Sequence, residues 1–171
     1  MSRTWLLLKR HGLDLLILIA AATSALGVAL KSEAERPDGL TSWFEMLVIA
    51  GVVLCLLGRH RFPFGAPATI WLVCAALSFV DGRLIVNNDG VFVAGMAASV
   101  LLGNLRHGVH ARVGLAIVLG GAAVVVYNDP AHDDGDLVFT PVLFALGWLV
   151  GFALRERAEQ TEAAEERAER A

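Results

Sequence analysis

Two groups of charged residues in the sequence carry side chains that could sense protons or bind a cation. The first is Asp81 with Arg83, which interrupts apolar sequence at a predicted helix C-terminus, where the helix dipole disfavours a negative charge. The second is a run of potential oxygen and nitrogen ligands in one short segment. Its side chains are His132, Asp133, Asp134 and Asp136. We treat both groups as candidate sensing sites.

The acidic run has a second interpretation as a solvated turn. Asn128, Asp129 and Pro130 open it, and these residue types are typical of turns. Its spacing differs from that of a calcium-binding loop. The two cysteines, Cys55 and Cys74, lie in apolar segments and have no CxxC spacing. The sequence therefore predicts no metal site and no cofactor.

Catalytic motifs are missing from the sequence. It contains no P-loop, no G-x-S-x-G, no H-E-x-x-H and no zinc-ligand spacing. Paired carboxylates in the middle of an apolar segment, which would suggest proton chemistry, are also missing. The chain as given is therefore not expected to be an enzyme, and no nucleic-acid partner is expected.

Small residues form a third group, and their predicted role is helix packing. Gly147 and Gly151 make G-x-x-x-G, and Gly95, Ser99 and Gly103 give two successive small-xxx-small steps. Helices in lipid associate through close approach of their backbones, which such residues permit. The pattern predicts that each face packs against another helix, and it leaves the identity of that helix open.

Apolar segments that begin and end at charges, prolines or glycines dominate the chain, which is 56% hydrophobic and 18% charged. Segments of about 17 to 20 such residues can cross a bilayer as helices. Six can be drawn, at 13–30, 43–58, 66–80, 91–105, 113–127 and 137–154. The predicted fold is an all-α membrane protein, a six-helix transmembrane bundle with a cytoplasmic C-terminal helical extension. A bundle of four or five spans is the alternative, because Asp81 and Arg83 interrupt the apolar sequence between the third and fourth segments.

Positively charged residues are concentrated in every second connection between the apolar segments. This distribution predicts which connections face the cytoplasm. Basic residues gather in 1–12, 59–65, 106–112 and 155–171, whereas the intervening connections are acidic. The expected protein is a multi-pass protein of the cell (plasma) membrane with both termini in the cytoplasm. Its predicted parts are a basic cytoplasmic N-terminus at 1–12, a transmembrane domain at 13–154 and a cytoplasmic charged helix at 155–171.

The last apolar segment runs into a tail, RERAEQTEAAEERAERA, that has no glycine or proline and a high helix propensity. Thr140 and Pro141 are predicted to start or kink the last span. From Val142 onward we expect one continuous helix, in which Ala164, Ala168 and Ala171 follow a four-then-three spacing and could begin a coiled-coil seam.

The arrangement resembles the membrane input region of bacterial two-component sensor histidine kinases that have six short spans and almost no extracellular domain. The resemblance rests on the basic cluster followed by proline at 59–63, on the basic turn at 104–112, and on the run of the last span into the charged helix at 155–171. It covers nearly the whole chain, and its motifs are compositional.

The resemblance implies a sensor in which a stimulus alters packing among the spans and the last span relays the change to the cytoplasmic helix. It also implies a homodimer, formed in the lipid bilayer through the last span and that helix. A response regulator would be a partner only through a kinase core, and the 171 residues contain neither a phosphoacceptor box nor an ATP lid. The alternative is a small stand-alone integral membrane protein, a transporter or scaffold component, with a partner-binding tail.

Overall fold

In the computed structural model the described residues are 50–51, 54–80, 82–86 and 89–170, and they form an all-helical structure. The elements in chain order are a 3-10 helix (Cys55–His60), α1 (Gly65–Ser78), α2 (Gly82–Val86), α3 (Asp89–Gly103), α4 (Gly108–Tyr127) and α5 (Asp136–Arg170). The all-α class predicted from the sequence is consistent with this arrangement.

Helix α1 packs one face against α3 and α4. It carries Pro67 in its first turn, where the missing backbone N–H has no intrahelical partner to lose. Its buried residues beyond that turn are Ala68, Ile70, Trp71, Cys74 and Ser78. Residues three and four apart lie on the same side of a helix, so this spacing defines the face that turns inward.

Helix α5 packs against both α3 and α4, and these three helices contribute much of the buried core. Ala98, Leu102 and Val118 at its centre are all 0% exposed. Because many of the facing residues are small, the helices approach each other closely.

A polar contact joins the ends of α1 and α4. The backbone N–H of Asn128 donates to carbonyl groups in the last turn of α4, and its side-chain Nδ2 donates to Ser78 Oγ at 2.9 Å. At its other end α4 begins at Gly108, after His107 in an extended conformation. The helix therefore starts five residues before the predicted segment at 113–127, and the connection from α3 is correspondingly short.

The predicted six-helix transmembrane bundle is wrong. Within the described ranges, two helices, α4 and α5, are long and apolar enough to cross a membrane. Helices α1 and α3 have 14 and 15 residues, which corresponds to about 21 and 22 Å of rise and falls short of a hydrocarbon core of about 30 Å. The predicted segment 13–30 and much of 43–58 lie outside the described residues.

The reason is that an apolar composition does not fix the length of a helix. Helix α1 ends at Ser78, and the backbone N–H of Phe79 donates to the carbonyl groups of the two residues before Ser78. Helix α3 ends at Gly103, before a short turn at 104–107. The predicted connection at 81–90 contains α2 and the start of α3.

Candidate functional site

The small residues predicted to pack helices meet between α3 and α5. A Cβ atom added at Gly103 would overlap the carbonyl oxygen of Trp148, and one at Gly151 would overlap the carbonyl oxygen of Val100. The two backbones are therefore in direct contact at both places. Only glycine fits there without moving one helix away from the other.

The remaining members of the two motifs line the same interface. A Cβ at Gly147 would press against the sulfur of Met96, and one at Gly95 would lie 3.2 Å from the Phe144 ring. Ser99 is fully buried, and its hydroxyl donates to the carbonyl oxygen of Gly95 at 2.9 Å. The sequence did not identify the helix that packs against the G-x-x-x-G face. In the structure that helix is α3 of the same chain.

Arg155 lies where the apolar part of α5 gives way to its charged part. Its Nη1 donates to the carbonyl oxygen of Leu105 at 2.7 Å, and its guanidinium lies 4.6 Å from the centre of the Phe152 ring. Its Nε is 3.4 Å from a carboxylate oxygen of Glu159, and the side chain is only 14% exposed. The arginine therefore binds α5 to the turn that follows α3.

The position of this contact has a physical explanation. Leu105 lies just beyond the end of α3, where carbonyl groups have no partner inside the helix. A cation is favoured at that end, because the helix dipole places partial negative charge there. The sequence identified Arg155 only as part of the basic side of the topology. The signal available was its place directly after the apolar run, since a long cationic side chain there can reach polar groups at the end of a neighbouring helix.

Two further polar contacts hold α5 near this end. The indole Nε1 of Trp148 donates to the carbonyl oxygen of Ala111 in α4 at 3.0 Å. Arg106 and Glu162 form an exposed ion pair at 3.2 Å, which links the turn after α3 to the charged part of α5. The buried hydrogen bond contributes more than the exposed ion pair, because water screens the latter.

Replacing Arg155 by glutamine should lower the free energy of unfolding in detergent by about 2 kcal/mol, because a charge-assisted hydrogen bond to a half-buried carbonyl is lost. Arg157 is exposed and provides the matched control, since the same change there should alter stability by less than about 0.5 kcal/mol. Equal losses in the two variants would show that the contact with Leu105 does not stabilise the junction.

The acidic candidates mainly shape the chain between α4 and α5. The Asp136 backbone N–H donates to Asp133 Oδ1 at 2.9 Å, and the Asp133 backbone N–H donates to Asp136 Oδ2 at 3.2 Å. This reciprocal pair is a capping box at the start of α5. Asp129 Oδ1 accepts from the Ala131 backbone N–H at 3.1 Å, and Nδ1 of His132 contacts the carbonyl oxygen of Asp129. The turn interpretation of this segment therefore has direct structural support.

Gly82, which lies between Asp81 and Arg83 in the sequence, is in close contact with the start of this segment, since a Cβ added there would overlap the carbonyl oxygen of Asn128. Asp134 is exposed. Arg83 lies in α2, and Asp81 lies outside the described residues. Among the residues that the structure describes, no group of three or more His, Cys, Asp or Glu side chains could hold a metal ion.

Thr140 and Pro141 do not start α5. The helix begins at Asp136, and Pro141 lies inside it as a buried residue. The proline cannot donate to the carbonyl group four residues earlier, which leaves that carbonyl in the first turn of the helix without its usual partner. The capping box explains the earlier start.

Comparisons of the chain with family models, with curated proteins and with solved structures give no match.

Proposed function

We propose that this chain is the membrane input region of a two-component sensor, in which α5 relays a change in helix packing to a cytoplasmic output domain. The supporting observation is the continuity of α5, a single helix of 35 residues from Asp136 to Arg170. At the standard rise it extends about 52 Å. Its first half is apolar and its second half is charged, so one rigid element connects a lipid environment to water.

Exposure of apolar surface supports placement in a lipid bilayer. In the most apolar window of each long helix, 39% of α4 and 28% of α5 is buried inside the structure. Large hydrophobic side chains of α5 remain exposed, including Val138, Phe139, Leu146, Leu149 and Val150. A helix in the core of a soluble protein would be mostly buried, and contiguous exposed apolar surface marks contact with lipid or another protein.

The proposed location is the plasma membrane, with the turn at 104–107, the charged tail and both chain termini in the cytoplasm. Arg106, Arg112, Arg155 and Arg157 lie near one end of the α4 and α5 pair. Four aspartates lie at the other end, between 129 and 136. Positive residues are enriched on the cytoplasmic side of membrane proteins, which supports this orientation.

In the proposed mechanism, α5 shifts along or tilts against α3, and the shift reaches the tail through the helix itself. The glycine contacts would let the surfaces of α3 and α5 slide past each other at close range. Small helix displacements at interfaces are a known form of switching. A homodimer would use the charged tail and a face of α5 other than the one that α3 covers. A response regulator would then be reached only through a kinase core.

The proposal is tested in a fusion of this chain to a histidine kinase core. Two glycines inserted after Arg157 should interrupt the helix, and we expect kinase output that is locked or lost. The matched control inserts seven helix-forming residues at the same place, which keeps the helix continuous and nearly preserves its phase, so output should be retained. Unchanged output in the glycine variant would contradict the relay and would favour a stand-alone membrane protein with a partner-binding tail.

A further inference from the structure

A cavity of about 290 Å³ lies among the five helices, on the side of the 128–135 connection. Most of its lining is apolar and includes the rings of Trp71, Phe92 and Phe144. Trp71 and Phe144 meet edge to face with ring centres 4.7 Å apart, and Phe92 lies 5.2 Å from Phe144. Such rings form a rigid wall for an apolar or aromatic body.

Two carboxylates contribute to the polar part of the lining. Asp129 comes from the connection and Asp136 from the first turn of α5. Each uses one oxygen to accept a backbone N–H, Asp129 through Oδ1 and Asp136 through Oδ2. A carboxylate has a second oxygen that can accept further hydrogen bonds. The other titratable side chains of the described lining are His132 and Cys74, and no lysine or arginine belongs to it.

Trp71 adds a donor whose bonding capacity is unused. The residue is 4% exposed, and its Nε1 has no hydrogen-bond partner within the described part of the chain. Buried polar groups are nearly always paired, and an unpaired one needs an explanation. An ammonium group only donates and cannot be the partner of this N–H, so the indole serves as a reporter of the cavity's occupancy.

We propose that the cavity binds a small organic cation, with an apolar body against the aromatic wall and one ammonium group beside Asp129 and Asp136. A cavity of about 150 Å³ accommodates benzene, so the volume here suits a ligand of roughly a dozen non-hydrogen atoms. An ammonium group has three donors and matches acceptor-only carboxylates. This binding activity is independent of the proposed signalling role.

The test compares two probes of equal size on the purified chain in a neutral detergent. 4-Phenylbutylamine, protonated at neutral pH, is titrated in parallel with 4-phenylbutanol, which has the same carbon skeleton without the charge. Binding is followed by the NMR signal of the Trp71 indole N–H, assigned with the variant Trp71→Phe. We expect saturable shifts and an affinity for the ammonium about tenfold higher than for the alcohol, as two partly exposed ion pairs would give.

The charge preference should depend on the two carboxylates that line the cavity. In the double variant Asp129→Asn, Asp136→Asn each amide oxygen can still accept the same backbone N–H, so the turn and the cap are retained. The affinity for the ammonium should fall about tenfold, to the level of the alcohol. The matched control, Asp89→Asn with Asp134→Asn, removes two exposed charges that do not line the cavity and should keep the preference.

Three results would overturn the proposal. The first is a Trp71 signal that does not saturate with the ammonium, and the second is equal affinity of the wild-type chain for the two probes. The third is a preference that survives the paired asparagine changes. A separate variant, Val126→Phe, places a ring in the cavity from a buried lining position. This variant should lower the affinity for both probes at least tenfold. Unchanged affinity would mean that the probes bind elsewhere on the protein.

Discussion

Replacing Gly151 by alanine should be among the most damaging single substitutions in the chain, with a loss of about 3 kcal/mol in the free energy of unfolding. The added methyl group would overlap the Val100 carbonyl oxygen. A backbone atom cannot rotate away as a side chain can, so α3 and α5 must separate. Separation also weakens the neighbouring contact between Gly103 and Trp148.

Gly120 provides a control with the opposite expected sign. It lies in the interior of α4, is exposed, and has no atom within 4 Å of the position that a Cβ would take. Alanine there should stabilise the helix by about 0.5 to 1 kcal/mol, because glycine has the lower helix propensity. Both variants are measured by reversible unfolding in mixed micelles. Similar effects at the two positions would contradict the close contact between α3 and α5.

The second large effect is expected for the accessibility of single cysteines in intact cells. In a background that lacks Cys55 and Cys74, a cysteine at Asp134 should react with a membrane-impermeant maleimide, and one at His107 should react only after permeabilisation. Both positions are exposed and lie at opposite ends of α4. The reason is that α4 is long and apolar enough to separate them by a bilayer.

The pattern of labelling separates the alternatives. Reaction at His107 alone would reverse the orientation inferred from the charges. Reaction at both positions before permeabilisation would mean that α4 does not cross the membrane. The substitution at Asp134 leaves the cap formed by Asp133 and Asp136 intact, so a negative result there cannot be attributed to loss of that cap.

Helix packing shows what local sequence can and cannot predict. The spacing of Gly147 and Gly151 indicated a face for close approach, since small residues four apart lie on one side of a helix. It could not indicate that Val100 would be opposite Gly151, because that pairing depends on how α3 is placed by the whole bundle. The same limit applies to Arg155, because its acceptor is the carbonyl of Leu105, fifty positions earlier in the chain.

Helix boundaries show a different limit. The predicted segments 66–80 and 91–105 differ by only one or two residues from α1 and α3, yet the inference that each spans a bilayer was wrong. Hydropathy detects that a segment avoids water, and both lipid and protein satisfy that condition. Much of α1 and α3 is buried within the structure, so their apolar character is already explained.

The cavity and the acidic connection also differ in predictability. The acidic residues were visible in the sequence, and their turn chemistry was one of its two interpretations. Their geometry at a cavity was not visible, because the lining combines side chains from α1 to α5. The contact between Trp71 and Phe144, which are distant in sequence, forms only when those helices assemble.

The polar contacts of α5 with its neighbours have a mechanical consequence. Trp148, Arg155 and Glu162, near the middle and later part of the helix, make such contacts. If α5 turns as a rigid helix about its contact at Arg155, that residue is the pivot. The arm toward Asp136 is about 28 Å and the arm toward Arg170 about 22 Å, from the rise per residue. Lateral movement of 1 Å at the start of the helix would therefore swing its far end by about 0.8 Å in the opposite direction.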